Sequence, residues 1–200
     1  MRRAWTAVTV VGLALLIGAA ALAFWNFRQD AEAGSESEAI VYELAGVIPD
    51  VPAVPEEIQE VEQAADPEGY EMPSVTIDGT KYMGVIYFPD LNRELPVFSE
   101  YALSKLKTAP AVYYGSPITH DLVICAHNYR SHFGPINRLP VGASVQIKCA
   151  DGTVFDYRIA ATEVVSPFAV EDVTSGEWDL TLFTCTLGGR TRYVVRCDMI

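Results

Sequence analysis

The chain is poor in the residues that several common chemistries need. Its four cysteines, Cys125, Cys149, Cys185 and Cys197, include no C-x-x-C pair, so the spacing of a zinc site is missing. Its three histidines, His120, His127 and His132, all precede Cys185. That order excludes a papain-like arrangement, where the cysteine comes before the histidine. The Ser-x-Gly-Cys-x-Arg pattern of L,D-transpeptidases is absent too: Phe183-Thr184 precede Cys185 and Thr186-Leu187 follow it. Bases are scarce, with 14 Lys and Arg against 26 Asp and Glu and a net charge of −12. From Val75 to Ile200 the balance is 13 Asp and Glu against 11 Lys and Arg, so the domain has no net basic excess, which disfavours nucleic-acid binding. No internal repeat is present.

Charge is missing altogether from Ala4 to Phe27, after Arg2 and Arg3. A helix of that length spans about 36 Å at 1.5 Å per residue, enough for a bilayer core. Trp5, Phe24 and Trp25 lie near its ends, where aromatic belts sit. A signal peptide cut near Ala19–Ala23 is the alternative, but its apolar core would be shorter. We read residues 1–27 as a retained single-pass anchor. Arg2 and Arg3 then stay in the cytoplasm, and the remainder is extracellular.

The acidity is local. Thirteen of the acidic residues lie between Arg28 and Ser74, where Arg28 is the only base. This stretch also holds Pro49, Pro52, Pro55, Pro67 and Pro73. Residues 28–74 therefore read as an extended, self-repelling linker. The competing reading is a lid, with Ile40-Val41-Tyr42 and Val47-Ile48 as docking points.

Residues 75–200 read as an all-β domain large enough for one core. The pattern predicts strands at Val75–Ile77, Tyr82–Phe88, Leu95–Phe98, Asp121–His127, Ser144–Cys149, Val154–Val165, Leu180–Cys185 and Arg192–Cys197. Turns at Asp78-Gly79, Pro89-Asp90, Pro140-Val141-Gly142 and Asp151-Gly152 punctuate them. Helix is expected over Ser99–Lys107 and for one turn in Gly134–Leu139. About eight short strands suit a closed barrel.

The last two runs flank Gly188-Gly189 and read as a hairpin with a two-residue loop. Opposed residue numbers then sum to 377. Cys185 faces Arg192, Leu187 faces Arg190, and Arg196 faces Thr181. Directly opposed Cβ atoms lie about 4.5–5.5 Å apart, so a guanidinium stands beside a thiol. Such a cation favours thiolate and can donate to an oxyanion. His127 ends the apolar run Leu122–Ala126, where a strand leaves the core toward Asn128 and Tyr129. Histidine, cysteine and arginine supply an acid/base, a nucleophile and an oxyanion donor. His120 and His132 lie in turn-like polar surroundings and read as satisfied or solvent-facing.

These residues resemble the sortases, cysteine transpeptidases of Gram-positive cell surfaces. Thr181-Leu182-Phe183-Thr184-Cys185 is similar to the family's Thr-Leu-x-Thr-Cys motif, and Ala126-His127-Asn128 stands where its Gly-His motif does. Arg192-Tyr193-Val194-Val195 looks like its arginine-bearing strand. Gly84-Val85-Ile86-Tyr87-Phe88-Pro89 and Glu94-Leu95-Pro96-Val97 resemble its opening strands. The His-Asn pair and Phe133-Gly134 are similar to class B members. The resemblance implies a closed sortase-like barrel. It implies catalysis by His127, Cys185 and Arg192, with Thr184, Asn128 and Arg190 near the substrate. The implied partners are secreted proteins with a C-terminal sorting signal and an amine acceptor on peptidoglycan or a pilin. The residues alone leave two alternatives: an anchored hydrolase with the same trio, and a non-catalytic binding barrel.

No cofactor is expected. Glu163, Glu171 and Asp172 flank the loop before the Cys185 run, and calcium is the one ion they suggest. Such carboxylates are ordinarily a solvated loop. Cys197 reads as a core thiol, and Cys125 shares the face of His127. A disulfide among Cys125, Cys149 and Cys197 is left open.

Overall fold

A computed structural model of the chain describes residues 2–49 and 72–200. Its first element, α1 (Arg2–Val47), is one continuous helix with two different environments. From Val8 to Phe27 it is apolar on all faces and exposed on all of them; Leu15 and Leu16 are 70% and 69% accessible. A helix without a polar face suits a lipid surrounding. By length and composition it can cross a membrane.

Beyond Phe27 the helix becomes amphipathic. Ala33, Ser37, Leu44 and Ile48 are buried, and Ile40 packs beside them. Their spacing of three and four residues makes one stripe. Residues 28–47 are thus helical and docked, not extended. The dense charge masks this stripe in the sequence. Arg28 and Glu32 pair along the exposed face at 2.8 Å. Pro52, Pro55 and Pro67 lie outside the described residues, as does most of the expected linker.

The barrel runs through β2 (Thr80–Phe88), β3 (Arg93–Phe98), β4 (Ala111–Tyr114), β5 (Leu122–Ala126), β6 (Ser144–Cys149), β7 (Val154–Val165), β8 (Leu180–Cys185) and β9 (Arg192–Met199). Their order is β2-β3-β4-β5-β8-β9-β7-β6, and β6 returns to β2, so the sheet closes on eight strands. Strand β1 (Val75–Ile77) adds to the outside of β2. Closure leaves the barrel no free edge. Gly84 permits it: a Cβ there would sit 2.0 Å from the Lys148 carbonyl oxygen.

Alternation divides the apolar residues between two faces. Met83, Ile86, Leu95, Val97, Ile124, Leu182 and Val195 fill the interior with Phe133 and Tyr157. Val85, Phe98, Cys125 and Phe183 belong to a second, outer cluster, which Leu44 of α1 and Ile48 just beyond it cover in part. Burying one such leucine side chain contributes about 1.5–3 kcal/mol to docking.

Two expected details differ. The Ser99–Lys107 helix is reduced to a single 3-10 turn at Lys105–Lys107. Strand β4, just after it, is only four residues long between Pro110 and Gly115, too short to stand out by pattern. The expected turn after Gly134 is a 3-10 turn, η3 (Gly134–Arg138).

Candidate active site

Strands β5 and β8 are neighbours and run parallel, with Ala126 beside Thr184. His127 and Cys185 each follow that pair, on adjacent strands about 4.8 Å apart. The hairpin of β8 and β9 sets Cys185 against Arg192. The register sum of 377 holds along it, from Leu180–Cys197 to Cys185–Arg192. His127, Cys185 and Arg192 line one cavity of about 250 Å³ on the outer face of the barrel.

The hairpin connection is longer than two residues. Thr186 N–H donates to the Thr191 carbonyl at 3.0 Å, which leaves Leu187–Arg190 as the loop. Gly189 N–H donates back to the Thr186 carbonyl at 2.8 Å, and Gly188 and Gly189 have φ of 83° and 71°. Leu187 and Arg190 are both exposed at this tip, not cross-strand partners. Two residues were added symmetrically, so the pairing below the loop is unchanged.

Arg192 is half-buried. Its Nη1 donates to the Gly189 and Thr191 carbonyls at 3.2 Å each. These contacts hold the guanidinium over the hairpin and leave its other N–H groups without a bond among the described residues. Burial, then Lys107, pushes His127 below its ordinary value, so the ring is neutral at pH 7. Thr184 is buried, and its hydroxyl donates to the Ala126 carbonyl at 2.9 Å, stapling β8 to β5. Asn128 is exposed and reaches the Thr186 carbonyl at 3.5 Å, a long contact.

The cavity wall beyond Cys185 is apolar. Tyr101, Tyr113 and Phe183 meet edge to face, at centroid distances of 5.3 Å and 5.2 Å. Leu106 and Cys125 complete this side. Burial pushes the Cys125 thiol up to about 12, so it stays protonated beside the cavity. The opposite wall is the β7–β8 connection, which carries a one-turn helix, α2 (Val170–Val173). Arg196 pins it from below. Its guanidinium donates to the Glu163 carboxylate at 2.7 Å, the Thr181 hydroxyl at 3.0 Å and the Asp172 carbonyl at 2.7 Å. The sequence sets Arg196 opposite Thr181; its grip on a distant loop was not legible. Glu163 is therefore engaged by an arginine, and among the described residues no acidic, His or Cys group is arranged for a metal.

His132 is fully buried, which removes the solvent-facing reading and keeps the satisfied one for Nε2. Docked α1 covers it. The Ser37 hydroxyl donates to the Thr108 carbonyl at 2.5 Å, so at 3.2 Å it accepts from His132 Nε2–H. The other nitrogen, Nδ1, has no bond of ordinary geometry. Burial holds this ring down to about 4, outweighing the Ala33 carbonyl and Asp30, which favour its charged form. Asp30 also accepts from Ser131 N–H and hydroxyl at 2.9 Å and 2.8 Å. Helix α1 thus braces the loop that follows His127. Tyr129, which no sequence motif marks, lies between His127 and His132 with its ring tilted to both, at centroid distances of 5.0 Å and 5.5 Å. Gly134 closes this loop, since a Cβ there would lie 2.6 Å from the Tyr129 oxygen. His120 is exposed and bonds Asp179 at 2.8 Å. Cys125, Cys149 and Cys197 are buried free thiols.

Residues 86–200 match the Sortase domain family model. Sortase C1 from Streptococcus agalactiae is similar in structure, with 26% identity and a TM-score of 0.55 over 62% of this chain and 70% of that one. A sortase D5 transpeptidase from Clostridium perfringens is 20% identical, with a TM-score of 0.53 over 60% and 79%. Sortase C from Streptococcus pneumoniae is 18% identical, with a TM-score of 0.54 over 86% and 88%. These neighbours are sortases of class C and class D. No curated protein matches the sequence.

Proposed function

The chain belongs to the sortase family of cysteine transpeptidases, and from that premise we propose that it is a membrane-anchored enzyme joining secreted proteins to a surface amine. The apolar first part of α1, up to Phe27, is the retained anchor, its N-terminus cytoplasmic and the barrel outside. The donor is a C-terminal sorting signal bound along the apolar wall of Tyr113 and Phe183. The acceptor is an amine of peptidoglycan or of a pilin.

The observation that carries this reading is the double register: Ala126 beside Thr184, and Cys185 against Arg192. It supports the following sequence. The Cys185 sulfur attacks the scissile carbonyl as neutral His127 takes the thiol proton. Arg192 donates to the oxyanion through N–H groups not engaged by the hairpin carbonyls. The C–N bond breaks, and the His127 imidazolium protonates the leaving amine. A thioester remains on Cys185. An amine then attacks it, His127 accepts its proton, and the C–S bond breaks to release the new amide. The returned proton regenerates thiol and neutral ring. Thr184 shapes the wall through its bond to Ala126, and Asn128 and Arg190 contact substrate at the rim.

Product analysis tests this. The protein is incubated with a peptide bearing a sorting signal, with and without an added amine. Amide product formed only when both are present supports the transpeptidase. Cleavage with water alone, unchanged by amine, is the hydrolase reading and would overturn ours.

A further inference from the structure

A second groove opens on the other flank of Cys185. A small cavity there, about 230 Å³, is lined by Asn128, Gly134, Asn137, Thr186 and Tyr193 with Cys185 itself. Asn128 and Gly134 also line a larger groove of about 520 Å³. Three arginines from three elements border that groove: Arg93 at the start of β3, Arg130 in the loop after His127, and Arg138 at the end of η3. Glu38 of α1 is its one acidic residue among those described.

Two of the three arginines are not consumed by the fold. Arg130 and Arg138 are exposed, and neither makes a hydrogen bond or ion pair among the described residues. Arg93 is half-buried; it donates to the Ser131 carbonyl through Nη1, and its buried Nε has no partner. Arg93 has Asp30 and Glu38 as counter-charges. Arg130 and Arg138 have no ion-pair partner among the described residues, and an oxyanion between them relieves their mutual repulsion. Arginine forks match carboxylate and phosphate oxygens in pairs.

We infer that this groove binds an oxyanion carried by the acceptor amine, holding it while the amine attacks the Cys185 thioester. The inference rests on the thioester reading above and names the acceptor's chemical class. Its nitrogen forms the new C–N bond, the C–S bond breaks, and the nitrogen's proton passes through His127 to the sulfur. Gly134 borders both cavities, and Arg138 lies four residues further along a 3-10 turn. That is on the order of 8 Å at 2.0 Å per residue. The oxyanion therefore stands several bonds from the amine, as in an ω-amino acid or a long-chain amino phosphate. Asn128 bridges the two cavities and keeps the acceptor chain in line.

The test measures how a preformed Cys185 thioester partitions between water and three amines of similar basicity. These are 6-aminohexanoate, 6-aminohexyl phosphate and the neutral 6-aminohexanamide. The protein is the full chain, wild type and Arg130→Gln/Arg138→Gln. In wild type at low salt, at least one anionic amine should be captured about tenfold better than the amide. The double variant should lose that advantage while forming the thioester at the wild-type rate. Which anion wins identifies carboxylate or phosphate as the source. Equal capture of all three amines by wild type would overturn the inference, as would an anionic preference that survives in the variant. Absence of any thioester in wild type would instead overturn the transpeptidase reading.

Discussion

On one side of the Cys185 sulfur the barrel presents Leu106, Tyr113 and Phe183; on the other it presents Asn128, Asn137 and, further out, Arg130 and Arg138. The apolar side continues the outer hydrophobic cluster that α1 covers at its far end. The polar side is built from the loop after His127 and from η3, both outside the strands. In the two-step acyl transfer we propose, the apolar flank grips the donor by burial through the first step, and the polar flank orients the acceptor that arrives in the second. Unlike flanks would then separate the two substrates by chemistry.

The trio between the flanks should be indifferent to that division, which gives the largest effects. His127→Ala should cut turnover by about 10²–10⁴-fold for every donor and acceptor. Because His127 lies below its ordinary value of 6.5, the acid limb of kcat/KM should fall below pH 6.5. A full-length pH profile with its acid limb above 6.5 would contradict the neutral resting ring. Arg192→Ala should cost about 10²–10³ in kcat, and Arg192→Lys should stay poor. Arg190→Ala, at the exposed hairpin tip, should change KM more than kcat. A larger kcat loss at Arg190 than at Arg192 would break the register argument.

Smaller effects should respect the flanks. Tyr113→Ala removes an edge-to-face ring from the donor side and should raise donor KM about tenfold, for roughly 1.4 kcal/mol of lost burial. Acceptor selectivity should not move. A change in acceptor selectivity instead would mean that the two sides share one binding site.

The smallest effect on turnover concerns the brace between α1 and the polar side. His132 titrates near 4 when folded and near 6.5 when unfolded, because burial disfavours its charge. The unfolded chain therefore binds more protons between those values. This contribution is complete above about pH 6.5 and is lost as pH falls toward 4, by roughly 3 kcal/mol. Thermal melts of wild type and His132→Gln across that range check it. Parallel curves would show that α1 does not hold the ring neutral.

Much of this was legible because strands report themselves by alternation. The bounds of β6, β7 and β8 agree with the pattern, and the hairpin register follows from Gly188-Gly189 even though the loop has four residues. The meeting of Cys185, His127 and Arg192 in one cavity follows from the same register plus a parallel pairing. What stayed hidden depends on partners remote in sequence. The stripe Ala33-Ser37-Leu44-Ile48 has meaning only once a barrel face waits for it, and five surrounding acids read as repulsion. His132 looks polar until α1 lies over it. Arg130 and Arg138 are ordinary surface charges until the loop and η3 bring them to one groove.

We propose that Cys185 alone carries the acyl group between the two flanks. Intact-mass and peptide-mapping mass spectrometry of the protein, quenched in acid after mixing with a sorting-signal peptide, tests it most directly. One acyl adduct is expected, on Cys185, that disappears on adding amine and never forms in Cys185→Ala. Cys125→Ala should behave as wild type, since burial pushes that thiol up to about 12. An adduct on another residue, or amide product from Cys185→Ala, would show that Cys185 is not the acyl carrier.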